Sequence, residues 1–180
     1  GYTPLISACE AGRVEVVSML LGRGADPAVV ASESWTALMS ASAGDDRRGA
    51  GRYVAVIRLL LKDGRVRVDA RSRSGCTALW VACYWGHADE ARVLVLEGHA
   101  DHTIPNNEGV TPMGAAKQGK HGECARLLKV RIGHALEGSL PLSPSQHIQP
   151  HTTNHSCAIV CATVMQWFEG ELERAALLSK

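Results

Sequence analysis

Between Cys76 and Gly98 two short apolar runs flank a Gly-His break, reading CTALWVACYWGHADEARVLVLEG. Leu79, Ala82 and Cys83 recur at helical spacing before Gly86-His87, and Ala91, Leu94 and Val95 do so after it. This predicts a helix-turn-helix unit in which each helix carries one apolar face. Neither helix can bury that face alone, so the pattern demands copies of itself on either side.

Copies occur at Tyr2 (YTPLISACEAGRVEVVSMLLGRGAD), at Trp35 (WTALMSASAG) and at Val110 (VTPMGAAKQGKHGECARLLK). The unit threonines stand at 3, 36, 77 and 111, in steps of 33, 41 and 34, so the middle step is one period plus an insertion. Aligning Leu59-Leu60-Leu61 with Met19-Leu20-Leu21 assigns the extra residues to a charged, Gly-rich loop over 45–52. The second-helix triplets then line up as Val17/Leu20/Leu21, Ile57/Leu60/Leu61, Ala91/Leu94/Val95 and Cys124/Leu127/Leu128. The fourth unit reads one residue short between Thr111 and Gly119.

These residues resemble the ankyrin repeat family, whose signature has T-P-L-H, two small residues, G-H, two or three Leu and G-A-D. Thr3-Pro4-Leu5, Ala8, Gly12, Leu20-Leu21 and Gly24-Ala25-Asp26 carry it in the first unit; Thr77, Leu79, Ala82, Gly86-His87 and Gly98 through Asp101 carry it in the third. The family's usual His after the Leu is replaced by Ile6, Met39, Trp80 and Gly114. The resemblance implies an all-α helix-turn-helix solenoid with β-hairpin-like fingers over residues 1–132, in repeats of about 1–33, 34–74, 75–108 and 109–132. One finger, RVRVDARSRSG, alternates basic and other residues over Arg65, Arg67, Arg71 and Arg73, as an exposed extended segment would.

Composition narrows the function. The chain has 180 residues, 46% apolar, with a formal charge of +1. That balance gives no whole-chain field favouring nucleic acid, and no apolar run reaches bilayer-spanning length. A single Phe and three Tyr suit thin helices packed through Ala and Leu. The six cysteines form no disulfide pattern; Cys9, Cys83 and Cys124 fall on apolar faces and Cys76 ends a hairpin. A reducing compartment, cytoplasmic or nuclear, is expected. Opening at Gly1 inside a hairpin without a Met, the sequence is expected to be a fragment of a longer chain.

Past Ile132 the character changes. Residues 133–156 hold prolines and histidines without helical period and are expected to be a flexible linker. Residues 157–180 regain a helix-like pattern through Ile159, Val160, Val164, Trp167 and Phe168, a short segment of unknown role that could dock on the stack or bind a partner. His151, His155, Cys157 and Cys161, with His147, have the ligand types for zinc, but their loose spacing and the lack of a C-x-x-C knuckle leave no metal site expected. No cofactor is expected either. GAAKQGKH over 114–121 imitates a phosphate loop but ends in His121, where the metal-binding hydroxyl is needed, and no strand precedes it. Cys83 and His87 lack a third orienting group and fall on scaffold positions, so the chain is not expected to be an enzyme.

The positive signal is the placement of the aromatics. Five of the eight, Tyr2, Trp35, Trp80, Tyr84 and Trp85, map to the concave side that the resemblance assigns to partners. Trp80 has a rival explanation as half-buried packing between inner helices. The expectation is a non-catalytic, monomeric protein-protein interaction module. Its proposed contacts are Trp35, Trp80, Tyr84 and Trp85 beside Arg65, Arg67, Arg71 and Arg73, suited to an acidic-hydrophobic segment of another protein, with no nucleic acid or membrane partner. Two alternatives are a targeting fragment of a larger enzyme or signalling protein, and a metal-binding His/Cys tail. If 133–156 is a linker, limited proteolysis should cut there first and leave a folded core; full protection of that stretch would refute the assignment.

Overall fold

The four landmark threonines are helix caps. In the computed structural model, which describes residues 2–44 and 51–136 with side chains through Val130, each threonine hydroxyl accepts the backbone N–H three residues on. The donors are Ile6 to Thr3 (3.2 Å), Met39 to Thr36 (3.1 Å), Trp80 to Thr77 (3.1 Å) and Gly114 to Thr111 (3.2 Å). Each bond satisfies one orphan amide of the first turn and is worth about 1 kcal/mol. Threonine at this period therefore sets where each unit begins.

Eight α-helices follow among the described residues: α1 Pro4–Glu10, α2 Val14–Gly22, α3 Ala37–Ala43, α4 Arg52–Asp63, α5 Ala78–Trp85, α6 Ala88–Leu96, α7 Pro112–Gln118 and α8 Gly122–Leu136. Odd-numbered helices stack on one another as an inner layer and even-numbered helices as an outer layer, each pair packed as a hairpin. The core runs along the stack as Leu5, Ile6, Val17, Leu38, Met39, Ile57, Leu60, Leu79, Trp80, Leu94 and Leu128, all buried. This is the all-α solenoid that the hydrophobic period implies. The fingers before the second, third and fourth units are each closed by one short bond, Ala31 N–H to Trp35 O (2.8 Å), Ser72 N–H to Cys76 O (2.9 Å) and Asn106 N–H to Val110 O (2.9 Å). Only the first, through the Val30 and Thr36 pair, has the geometry of a β-bridge among the described residues.

Two details of register differ from the sequence reading. The fourth unit is not one residue short. The left-handed turn residue lies nine positions after the threonine in the first, third and fourth units: Gly12 (φ 60°), Gly86 (φ 80°) and Lys120 (φ 60°). Gly119 next to it is right-handed (φ −75°) and is small for another reason: a Cβ there would lie 2.4 Å from the His121 ring. His121 thus matches His87, α8 starts where α2 and α6 start, and Cys124 takes the place of Glu90 rather than of Ala91. The second correction is to the insertion. Gly51, left-handed at φ 57°, caps α4, and Arg52 is its first residue, so both belong to the repeat. The remainder of the inserted stretch, 45–50, lies outside the described residues.

Helix α8 continues to Leu136, four residues past the expected end at Ile132. The rest of the expected linker, the 157–180 segment and the candidate ligands His151, His155, Cys157 and Cys161 lie outside the described residues. Within them, no helix is long and apolar enough to cross a membrane and no group of His, Cys, Asp or Glu could hold a metal ion.

Cys9, Cys76, Cys83 and Cys124 are all buried free thiols. Burial pushes the Cys9 thiol up to about 12, and Cys83 is raised by its hydrogen bond with Cys124 and by burial. Neither forms the reactive thiolate near neutral pH, so in the native protein both should resist maleimide and react only on unfolding. Rapid native-state labelling of Cys9 would contradict its burial. Leu94→Ala should cost about 2–5 kcal/mol by chemical denaturation, since Leu94 is fully buried between units; a loss under about 0.5 kcal/mol would place it outside the core. Lys120→Gly should instead stabilise the chain by about 0.5–1 kcal/mol, because Lys carries a left-handed backbone penalty that Gly lacks. No gain in the unfolding midpoint would argue against the turn geometry.

Candidate partner-binding surface

The expected aromatic contacts divide into two groups. Trp35 and Trp80 are only 5% and 2% exposed, so the structure corrects their assignment as surface anchors. Trp80 occupies the His position of the repeat signature, facing the next unit, where its indole N–H donates to Val110 O at 2.9 Å. A tryptophan there both fills the gap between inner helices and satisfies a carbonyl of the following finger. Trp35 ends the 3-10 turn Ser32–Ser34, and its backbone carbonyl accepts the Ala31 N–H that closes the first finger. Tyr84 and Trp85, at the end of α5, remain half-exposed.

Those two residues form a step built on Trp80. Tyr84 stacks on the Trp80 ring with centroids 5.1 Å apart and planes at 10°, and Trp85 meets Tyr84 edge-on at 5.3 Å and 85°. Since Trp80 is pinned by the bond to Val110, its neighbours inherit a fixed orientation, and little rotamer freedom is left for a ligand to remove. The Trp85 Nε1 is buried with no acceptor among the described residues. Tyr2 is a third aromatic at the surface; its hydroxyl donates to the Glu10 carboxylate, and its phenol is raised by burial and then by Glu10. Glu10 stands seven residues after Thr3, as Tyr84 stands after Thr77, so the Tyr2 hydroxyl is tied to the repeat position that Tyr84 fills in the third unit.

The arginines are exposed but largely engaged within the chain. Arg65 makes a two-pronged pair with Asp63 (2.7 and 2.8 Å), which holds that carboxyl below its usual range. Arg73 sits 3.4 Å from Glu33 in the previous finger. Arg71 is a strut: its Nε bonds Gly75 O (3.2 Å), and its Nη2 reaches the next finger at Pro105 O (3.2 Å) and Asn107 Oδ1 (3.1 Å). Only Arg67 has no partner among the described residues. The four therefore supply less free charge than their number implies. They also lie at the finger end of α5, which seven helical residues, about 10 Å, separate from Tyr84.

What sequence reasoning missed is the ladder that aligns the fingers. The backbone N–H of Arg73 donates to Glu33 O (2.7 Å), and the equivalent N–H of Asn107 donates to Ser74 O (3.0 Å). The Asn107 amide adds a bond to Arg73 O at 2.8 Å. Asp26 and Asp101 open their fingers by accepting the N–H two residues on, from Ala28 (2.9 Å) and Thr103 (2.8 Å), a known use of Asp in turns. At the opposite edge, His87 Nδ1 lies 3.0 Å from Ser42 O and the Tyr53 hydroxyl donates to Glu10 O at 2.9 Å, each joining one turn to the unit before. His87 is thus engaged structurally, and residues 114–121 form helix α7 and its turn rather than a loop after a strand.

Comparison with known proteins places this architecture. The family model for three copies of ankyrin repeats matches residues 48–135, and the single ankyrin repeat model matches residues 1–32, together more than half of the chain. The chain is 37% identical over 137 residues to an Ankyrin repeat and KH domain-containing protein of Caenorhabditis briggsae, covering 75% of this chain and 5% of that protein. It is 48% identical over 63 residues to human Ankyrin repeat domain-containing protein 29, covering 35% of this chain and 20% of that one. It is 28% identical over 133 residues to human Transient receptor potential cation channel subfamily A member 1, covering 74% and 11% respectively. The chain therefore spans a small part of the relatives it matches. Ankyrin repeats generally bind other proteins and generally act as non-catalytic interaction modules. With threonine-capped helix pairs, bonded fingers and these matches, the chain belongs to the ankyrin repeat family.

Proposed function

We propose that the chain is a recognition module that holds a segment of another protein across the end of α5, with Tyr84 and Trp85 as the anchoring side chains. The observation that carries this reading is the Trp80–Tyr84–Trp85 ladder, in which a buried, hydrogen-bonded indole holds two half-exposed aromatic rings ready for contact. Large aromatics in a fixed orientation at a surface supply much of the affinity at interfaces, since little entropy is lost when they are covered. Trp35 and Trp80 take structural roles in this scheme. An acidic-hydrophobic segment remains the partner that fits: its apolar side chains cover the aromatic step, and a carboxylate reaching the fingers meets Arg67, or competes with Asp63 and Glu33 for Arg65 and Arg73. Those exposed pairs set association rate and salt dependence more than affinity.

That this chain aligns with only 5–20% of the length of three longer relatives supports a second reading, in which this module targets a larger protein to its partner. The same surface serves both.

Trp85→Ala together with Tyr84→Ala should leave the unfolding midpoint nearly unchanged while weakening capture of native partners by about 2 kcal/mol or more. Trp80→Ala should lower the midpoint as well, because it removes a buried ring and strands Val110 O. Recovery of the same partners at equal strength by wild type and the Tyr84/Trp85 variant would show that the aromatic step is not the binding site.

A further inference from the structure

The fingers before the second, third and fourth units share one frame, and one position in it changes chemistry. Ala31, Ser72 and Asn106 give the closing N–H, so Glu33, Ser74 and Glu108 are equivalent. Each is followed by a left-handed residue: Ser34 (φ 57°), Gly75 (φ 80°) and Gly109 (φ 76°). All three side chains are exposed or half-exposed at a finger tip. A carboxylate stands there in two fingers and a serine hydroxyl in the third.

The fold makes little use of that hydroxyl. The structural hydroxyl of the finger belongs to Ser72, 6% exposed, which accepts the Cys76 N–H at 3.1 Å as the Asn106 side chain accepts the Val110 N–H at 2.8 Å in the next finger. Ser74 Oγ lies 2.9 Å from Ser72 Oγ and 3.5 Å from Cys76 Sγ, and neither contact satisfies a backbone group. Its surroundings are cationic. Arg71 and Arg73 stand three residues and one residue before it, and no other serine or threonine of the sequence has an arginine three residues ahead. The Arg73 side chain is 77% exposed, 3.4 Å from Glu33. Arg71 Nη2 lies against Gly75, where an added Cβ would stand 2.6 Å from it. Ser32 and Ser34, in the preceding finger, have no arginine among the four residues ahead of either.

We infer that Ser74 is a phosphorylation site, modified by a serine kinase whose substrate groove carries carboxylates for the two arginines. Arginine pairs with a carboxylate in a two-pronged geometry, so two of them at fixed spacing set which hydroxyl enters the catalytic cleft. Ser74 Oγ forms a bond to the γ-phosphorus of ATP, the bond from that phosphorus to the β,γ-bridging oxygen breaks, ADP leaves, and the hydroxyl proton passes to the kinase's catalytic base. The product suits the finger. A phosphate of about −1.5 to −2 charge takes the position that Glu33 and Glu108 hold in the neighbouring fingers, and its oxygens accept charge-assisted hydrogen bonds from Arg71 and Arg73. Arg71 now bonds only uncharged acceptors among the described residues, Gly75 O, Pro105 O and Asn107 Oδ1, and Arg73 shares one exposed ion pair, so both have reason to turn to a dianion.

The test treats the folded chain, and separately a synthetic peptide of residues 67–80, with magnesium-ATP and an arginine-directed serine kinase, and maps the modified residue by tandem mass spectrometry. Phosphate should enter the folded chain at Ser74. Ser74→Ala should abolish that incorporation with the unfolding midpoint nearly unchanged, and Arg73→Gln should slow it by about tenfold or more. Phosphorus NMR of the modified chain should then place the second ionisation of the phosphate at lower pH than in the modified peptide, because guanidinium groups held beside it favour the dianion. Arg73→Gln should narrow that gap. The inference fails if the peptide is modified and the folded chain is not, since the finger then withholds the hydroxyl, or if the phosphate enters another residue. It fails equally if neither is modified, because the arginines are then no guide to a kinase, or if the phosphate ionises alike in chain and peptide, because the folded arginines then do not receive it.

Discussion

A seven- or nine-residue helix cannot close its apolar face on a single partner, and everything in this structure follows from that shortage. Helices α1 and α2 together offer Leu5, Ile6 and Val17 to a common interior, but Val17 is the only residue of α2 that the first unit buries fully. In α6, with units on both sides, Glu90, Ala91, Val93, Leu94 and Val95 are all closed off. Burial of apolar area, at about 25 cal/mol per Å², is thus won chiefly between units rather than within them. Stability becomes a sum of junctions.

The polar groups are arranged to serve the same junctions. At one edge the fingers pass backbone hydrogen bonds from unit to unit, and the Arg71 guanidinium crosses from one finger to the next. At the other edge Tyr53 and His87 reach back to carbonyls at the end of the preceding inner helix. Even the Trp80 indole donates across a junction. What the junctions leave uncovered on α5 is the Tyr84 and Trp85 edge of an aromatic stack whose base, Trp80, is structural. The proposed site therefore depends directly on the fold: removing the Trp80 bond would loosen the two rings stacked on it.

Much of this was legible in the order of residues. Helix starts, the inner and outer layers and the family followed from threonine spacing and from apolar residues at a 3.6-residue period, because capping and one-sided burial are local requirements that each unit repeats. Glycine was a poorer guide. Gly119 looked like the turn residue and Lys120 did not, yet the backbone places Lys120 in the left-handed region and keeps Gly119 small to admit the His121 ring. Sequence alone does not say which of two adjacent residues a neighbouring unit will crowd.

The same limit governs the site. Aromatic residues at repeat positions marked a face of the stack, but a pattern along one chain does not separate a tryptophan pointing at solvent from one pointing at the next unit. Trp35 and Trp80, expected among the partner contacts with packing as a rival role for Trp80, are core; Arg65, Arg71 and Arg73, expected beside them, are engaged by Asp63, the neighbouring finger and Glu33. What the sequence by itself determined is periodic and local: the caps, the turns, the helix faces and the need for neighbours. What only the tertiary structure decided is which side chains those neighbours consume, because burial and pairing at each position depend on units tens of residues away in the chain and in contact only once it is stacked.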